Sequence, residues 1–66
     1  MTYIIEIYTP GIDIDITTAT YFYFDNLDDA IDTATQYKNC HGCDIGINIY
    51  SAINEYDAKR QLIKSL

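Results

Sequence analysis

The sequence predicts an α+β fold, a small two-layer sheet with one packed helix. Three observations predict it. Apolar residues alternate with period two along residues 2–8, 12–24 and 44–53, which reads as strand. One stretch, 27–37, instead repeats at helical spacing. The resulting order, β-β-α-β followed by a further element, implies an antiparallel or mixed sheet with the helix on one face. Sixty-six residues make one domain, 1–66, whose single core is marginal at this size.

In the first strand, Tyr3, Ile5 and Ile7 share one parity, and Ile4, Glu6 and Tyr8 share the other. Thr9-Pro10-Gly11 is the clearest turn, because proline presets φ and glycine permits a positive one. Beyond it, Ile12, Ile14, Ile16, Thr18, Thr20, Phe22 and Phe24 fall on one side of an extended chain. Asp13, Asp15, Thr17, Ala19, Tyr21 and Tyr23 fall on the other. That is long for one strand, so a bend near Thr17 to Ala19, or a main strand restricted to 18–24, is expected.

The helix follows in DNLDDAIDTATQYKN. Asp25 or Asn26 can cap it, and acids crowd its first turn, where the helix dipole favours them. Leu27, Ala30, Ile31, Ala34 and Tyr37 gather on one side, while Asp25, Asp28, Asp29 and Asp32 form an acidic stripe on the opposite one. Asn39 to Gly42 ends the helix, with Gly42 as the left-handed residue. In DIGINIYSAI, Ile45, Ile47, Ile49 and Ile53 point one way, and Gly46, Asn48, Tyr50 and Ala52 the other, as in a strand. In the tail, Ala58, Leu62, Ile63 and Leu66 recur at helical spacing, and Asn54 with Asp57 resembles a capping pair. A short C-terminal helix is the expectation there, with a hairpin partner strand as its alternative.

Ten acids stand against four bases, a net charge of −6. All ten acids and only one base, Lys38, lie in residues 1–57, whereas Lys59, Arg60 and Lys64 crowd the tail. Such a body repels phosphate backbones, which disfavours direct nucleic-acid binding and favours a basic protein surface as partner. The same charge also serves solubility. Tyr21 and Tyr23 share one side of the second strand, with Tyr8 and Tyr50 on strands that could neighbour it. Such a row suits cross-strand pairing or a protein interface, but residues 1–37 supply no lysine or arginine for stacking single-stranded bases.

NCHGCD holds the one reactive cluster. Cys40 and Cys43 have metal-ligand spacing, yet one cysteine pair and one histidine fall short of the four ligands of a structural zinc site. A symmetric homodimer could share a zinc ion between two such pairs, or a disulfide could form. A pair that follows a helix lacks the dipole assistance of a redox motif at a helix start, and packing of two small apolar side chains is the simplest reading. No resident metal or cofactor is expected. Phosphate-loop, nucleophile-elbow, HExxH and EF-hand patterns are all missing, so the chain is not expected to be an enzyme. The start, MTYIIEIYTPG, lacks a signal peptide's charged n-region, and the apolar runs are far shorter than the roughly 20 residues of a membrane span. A soluble, cytoplasmic protein with no membrane partner is the expectation.

In size, in pI ≈ 4.2, in its isoleucine-, tyrosine- and asparagine-rich usage, and in "IDID" with "DNLDDAID", the chain resembles the small acidic anti-defence proteins of bacteriophages, including anti-CRISPR and DNA-mimic anti-restriction proteins. The resemblance is compositional; no family motif is matched and no residue role is carried over. It implies stoichiometric inhibition of a nucleic-acid-handling protein inside a bacterial host, in competition with DNA or RNA. On that expectation Asp13, Asp15, Tyr21, Tyr23, Asp25, Asp28, Asp29 and Asp32 form the partner-binding surface. The alternative is a self-associating module stabilised through Cys40 and Cys43. The basic tail departs from a pure mimic, and pairs either with the acidic body or with a second copy of the chain.

Overall fold

A computed structural model describes residues 1–10 and 19–66. Among these residues four strands form one antiparallel sheet: β1 (Thr2–Tyr8), β2 (Thr20–Phe24), β3 (Gly46–Ala52) and β4 (Gln61–Ser65), in the spatial order β2-β1-β3-β4. One helix, α1 (Leu27–His41), links β2 to β3 and ends in a single 3₁₀ turn, Gly42–Asp44. The fold is therefore α+β in two layers. Asp13 and Asp15, the Ile12–Ile16 part of the expected long second strand, Gly11 of the expected turn and most of the bend expected near Thr17 to Ala19 lie outside the described residues.

Strand direction explains why the helix lies where it does. β2 and β3 both run antiparallel to β1 from opposite sides, so they are parallel to each other and separated by it. Joining parallel strands takes a crossover of about a dozen residues or more, and α1 supplies it across β1. Its start is fixed by Asn26, whose Oδ1 accepts hydrogen bonds from the backbone N–H groups of Asp28 (2.7 Å) and Asp29 (3.4 Å). Its end is fixed by Gly42 at φ 59°, whose N–H donates to the Lys38 carbonyl. The Lys38 ammonium then reaches past the turn to the Ile45 carbonyl at 2.7 Å.

The helix presents small residues to the sheet. Ala30 and Ala34 are fully buried against Ile5, Ile47 and Ile49, and Leu27, Ile31 and Tyr37 pack around them. These are the five positions that helical spacing gathers. Each fully buried isoleucine contributes about 1.5–3 kcal/mol relative to exposure, so a few side chains carry much of a marginal core. Phe22, Phe24, Tyr3, Ile7 and Leu66 extend this layer on the helix-facing side.

The tail takes the alternative to the expected helix: residues 61–65 form β4, an antiparallel partner of β3. The side chains of Asn54 and Asp57 do accept backbone hydrogen bonds, but from neighbouring residues and not from each other, and these close a turn instead of starting a helix. Asn54 Oδ1 accepts from Tyr56 N–H, and the two Asp57 oxygens accept from Ile53 N–H (3.1 Å) and Lys59 N–H (2.8 Å). The chain leaves β3 after Ala52, which puts Ile53 in solvent instead of the core, and returns along the open edge of β3. Pairing that edge satisfies backbone groups a tail helix would leave bare. The register shifts once, between Ile49 and Tyr50, and Leu66 completes the ladder through two backbone bonds to Ile47.

On the sheet face away from the helix, Tyr8 lies opposite Gly46. A methyl group at Gly46 would overlap the Tyr8 ring, so glycine here makes room for an aromatic neighbour.

Replacing Asn26 by alanine should destabilise the protein by about 1 kcal/mol. It should appear as a lower denaturant midpoint with an unchanged slope.

Candidate functional site

Among the described residues, the face of the sheet opposite the helix carries a connected network of polar side chains. Strand parity builds it. Tyr21 of β2 pairs with Glu6 of β1, Glu6 pairs with Asn48 of β3, and Asn48 pairs with Ser65 of β4. Paired residues project to the same side of a sheet, so four polar side chains line up across all four strands. Their hydrogen bonds run along the row. The Tyr21 hydroxyl donates to Glu6 Oε2 at 3.0 Å, Asn48 Nδ2 donates to Glu6 Oε1 at 2.9 Å, and Ser65 Oγ donates to Asn48 Oδ1 at 2.7 Å. From the adjacent row, the Tyr50 hydroxyl donates to Glu6 Oε1 at 3.2 Å.

Glu6 itself is 5% exposed. A carboxylate so placed is tolerated only when donors replace its lost water. Three neutral donors do so here, and a fourth group adds charge: Arg60, just ahead of β4, brings Nη2 to 3.6 Å from Glu6 Oε2. Its guanidinium carbon stands 4.7 Å from the centre of the Tyr50 ring and 5.5 Å from that of Tyr21, within the range of cation–π attraction. Burial, reinforced by the Glu6 carboxylate, pushes both phenols above their ordinary pKa, while Arg60 pulls the other way. Tyr21 and Tyr50 thus stay protonated and donating at neutral pH. Among the described residues every buried side-chain polar atom has a hydrogen-bond partner.

Of the strands expected to neighbour that of Tyr21 and Tyr23, β1 with Tyr8 does so, whereas β3 with Tyr50 is separated from β2 by β1; the carboxylate between them was missed. The available signal was Glu6, the one charged residue in the apolar run TYIIEIY. Arg60 carried no such signal, since 54 positions separate it from its partner. Of the two roles expected for the tail cations, Arg60 takes the first, pairing with the acidic body.

The expected partner-binding residues divide between two faces. Tyr21 is half-buried in the polar row and Tyr23 is exposed beside it, on the face away from α1. Asp28, Asp29 and Asp32 are exposed on the helix, and Asp25 is exposed just ahead of its cap. The structure brings these four aspartates together, and the sheet separates them from the tyrosines. Among the described residues the only ion pair is Arg60 with Glu6, so no lysine or arginine neutralises the helix aspartates.

Cys40 and Cys43 are exposed free thiols, one in the last turn of α1 and one in the 3₁₀ turn. His41 between them stacks on Tyr37 with ring centres 6.1 Å apart. Among the described residues no three His, Cys, Asp or Glu side chains converge as metal ligands. No helix among them is long and apolar enough to cross a membrane.

No protein-family model matches the chain, and neither a curated protein nor a solved structure shows significant similarity to it.

Two outcomes follow from this geometry. Glu6→Gln replaces one acceptor by a donor that faces other donors and removes the charge opposite Arg60; it should cost about 1–3 kcal/mol in denaturant unfolding. Asp57 behaves differently. The N–H bonds from Ile53 and Lys59 hold its carboxyl below the ordinary value of 3.8. Its contribution to the 53–60 turn is therefore present above that value and lost as pH falls through the lowered one. Hydrogen-exchange protection of the Ile53 and Lys59 amides should fall on acidification below about pH 3.8, before protection within β1 does.

Proposed function

We propose that the protein is a non-enzymatic binding protein that lays the acidic face of α1 on a basic surface of a partner, as a stoichiometric inhibitor of a nucleic-acid-handling protein. One observation carries the reading. Asp25, Asp28, Asp29 and Asp32 stand exposed on one flank with no cation beside them among the described residues, while Glu6 is buried on the opposite face of the sheet and Arg60 is engaged with it. Helix stabilisation accounts for only part of this arrangement. Asp28 and Asp29 lie in the first turn, where the dipole favours a negative charge. Asp32 lies beyond the first turn, where that effect has faded, so its exposure is left for solvent or a partner.

Uncompensated like charges on a rigid helix steer a positively charged surface toward them and suppress binding of nucleic acid itself. The compositional resemblance to phage anti-defence proteins supports the same class of action, competition with DNA or RNA for a basic groove.

The test is a salt-resolved capture from bacterial lysate with immobilised wild type and a D28K/D32K variant whose fold is checked by circular dichroism. Wild type should retain a basic nucleic-acid-binding protein at low salt and release it as ionic strength approaches about 1 M, where screening acts over about 3 Å. The double reversal should lose at least about tenfold in affinity for the same protein, in line with the several-kcal/mol cost of like-charge contacts. Equal retention by the reversed variant would show that the helix face is not the binding surface.

A further inference from the structure

The surroundings of Arg60 have the form of a receptor with its ligand attached by a tether. The receptor half is built without Arg60. Glu6, Tyr21, Asn48 and Tyr50 come from β1, β2 and β3, and the short hydrogen bonds of the carboxylate, 2.9 to 3.2 Å, all come from those strands. Arg60 stands further off, 3.6 Å from the nearest carboxylate oxygen, beyond the roughly 2.7–2.9 Å of a charge-assisted hydrogen bond. It is held by charge and by the faces of two aromatic rings, and its side chain remains one-third exposed. The segment that carries it, residues 53–60, is largely exposed and is closed by the side chains of Asn54 and Asp57, apart from the sheet.

We infer that Glu6, Tyr21 and Tyr50 form a guanidinium-binding cage that Arg60 occupies in cis and that an arginine side chain of a partner protein can enter by displacing it. The chemistry of the occupant identifies the ligand. A flat, weakly hydrated cation suits two aromatic faces and a buried carboxylate better than a compact ammonium does. A tethered occupant acts at an effective concentration in the millimolar range. A solitary arginine therefore competes poorly, and a partner that adds contacts around its arginine competes well. The cage thus favours an arginine set in a complementary surface over free cations. It lies on the face of the sheet opposite the aspartate-bearing helix, and its standing is independent of theirs.

The test removes the tethered ligand and supplies it from solution. R60A is titrated with ethylguanidinium while the ring resonances of Tyr21 and Tyr50 are followed by NMR. Saturable shifts with a dissociation constant in about the millimolar range are expected, with wild type requiring at least about twofold more ligand because its own arginine competes. Ethylammonium should bind R60A several-fold more weakly, and R60A/Y50L should lose the response. If R60A does not fold alone, R60Q provides the same vacancy with a polar side chain, and recovery of R60A on adding ethylguanidinium equally supports the cage. Equal responses from wild type and R60A, or no preference for guanidinium over ammonium, would overturn it. So would failure of both variants to fold with the ligand present, since the cage would then have no existence apart from Arg60.

Discussion

A carboxylate buried in a slab of isoleucine is the constraint from which the sheet's arrangement follows. Glu6 shares β1 with Ile4 and Ile5, both fully buried, and its negative charge demands donors from every direction water would otherwise supply. Strand β2 answers with Tyr21, β3 with Asn48 and Tyr50, and the approach to β4 with Arg60. The donors on β2 and β3 help fix their strands' register, because a slip of one residue would turn each of them to the opposite face, away from the carboxylate. In an all-apolar sheet, pairings two residues apart would be closer in energy. The buried charge gives up some stability and, in this setting, separates one alignment from its neighbours.

The second layer works by different means. The α1 contact uses alanines where the helix comes closest and larger side chains at its margins, a pattern that lets a helix lie across β1 while still touching β2 and β3. Charge is excluded from this contact and appears on the opposite side of the helix. The described residues therefore present two unlike exteriors: a helical one whose carboxylates are open to solvent, and a sheet one whose buried carboxylate, Glu6, is already satisfied. A surface of each kind suits a different sort of recognition, long-range attraction in the first case and close geometric fit in the second.

How much of this could be read from the sequence depended on range. Local periodicity was enough for β1, for the Thr20–Phe24 strand, for the helix with its buried positions and caps, and for β3, because a period of 2 or 3.6 is written in adjacent residues. The fate of residues 53–66 was not legible. Asn54 and Asp57 bond the backbone equally well in a cap or in a turn, and only the unpaired edge of β3 decides between them. The strand order β2-β1-β3-β4 and the meeting of Glu6 with Arg60 were hidden for the same reason: both depend on which strands become neighbours. Of the expected site, the helix aspartates could be read as a group from their spacing. Their separation from Tyr21 and Tyr23 required knowing which face of the sheet the helix covers.

The Tyr8 ring and the bare backbone of Gly46 fill one volume between them. Neither position can drift alone: a side chain at 46 requires the ring to swing aside, and a small residue at 8 leaves a hollow over the glycine. Across descendants of this chain the two sites should behave as a single hereditary unit, with aromatic-plus-glycine exchanged for small-plus-branched in one paired event.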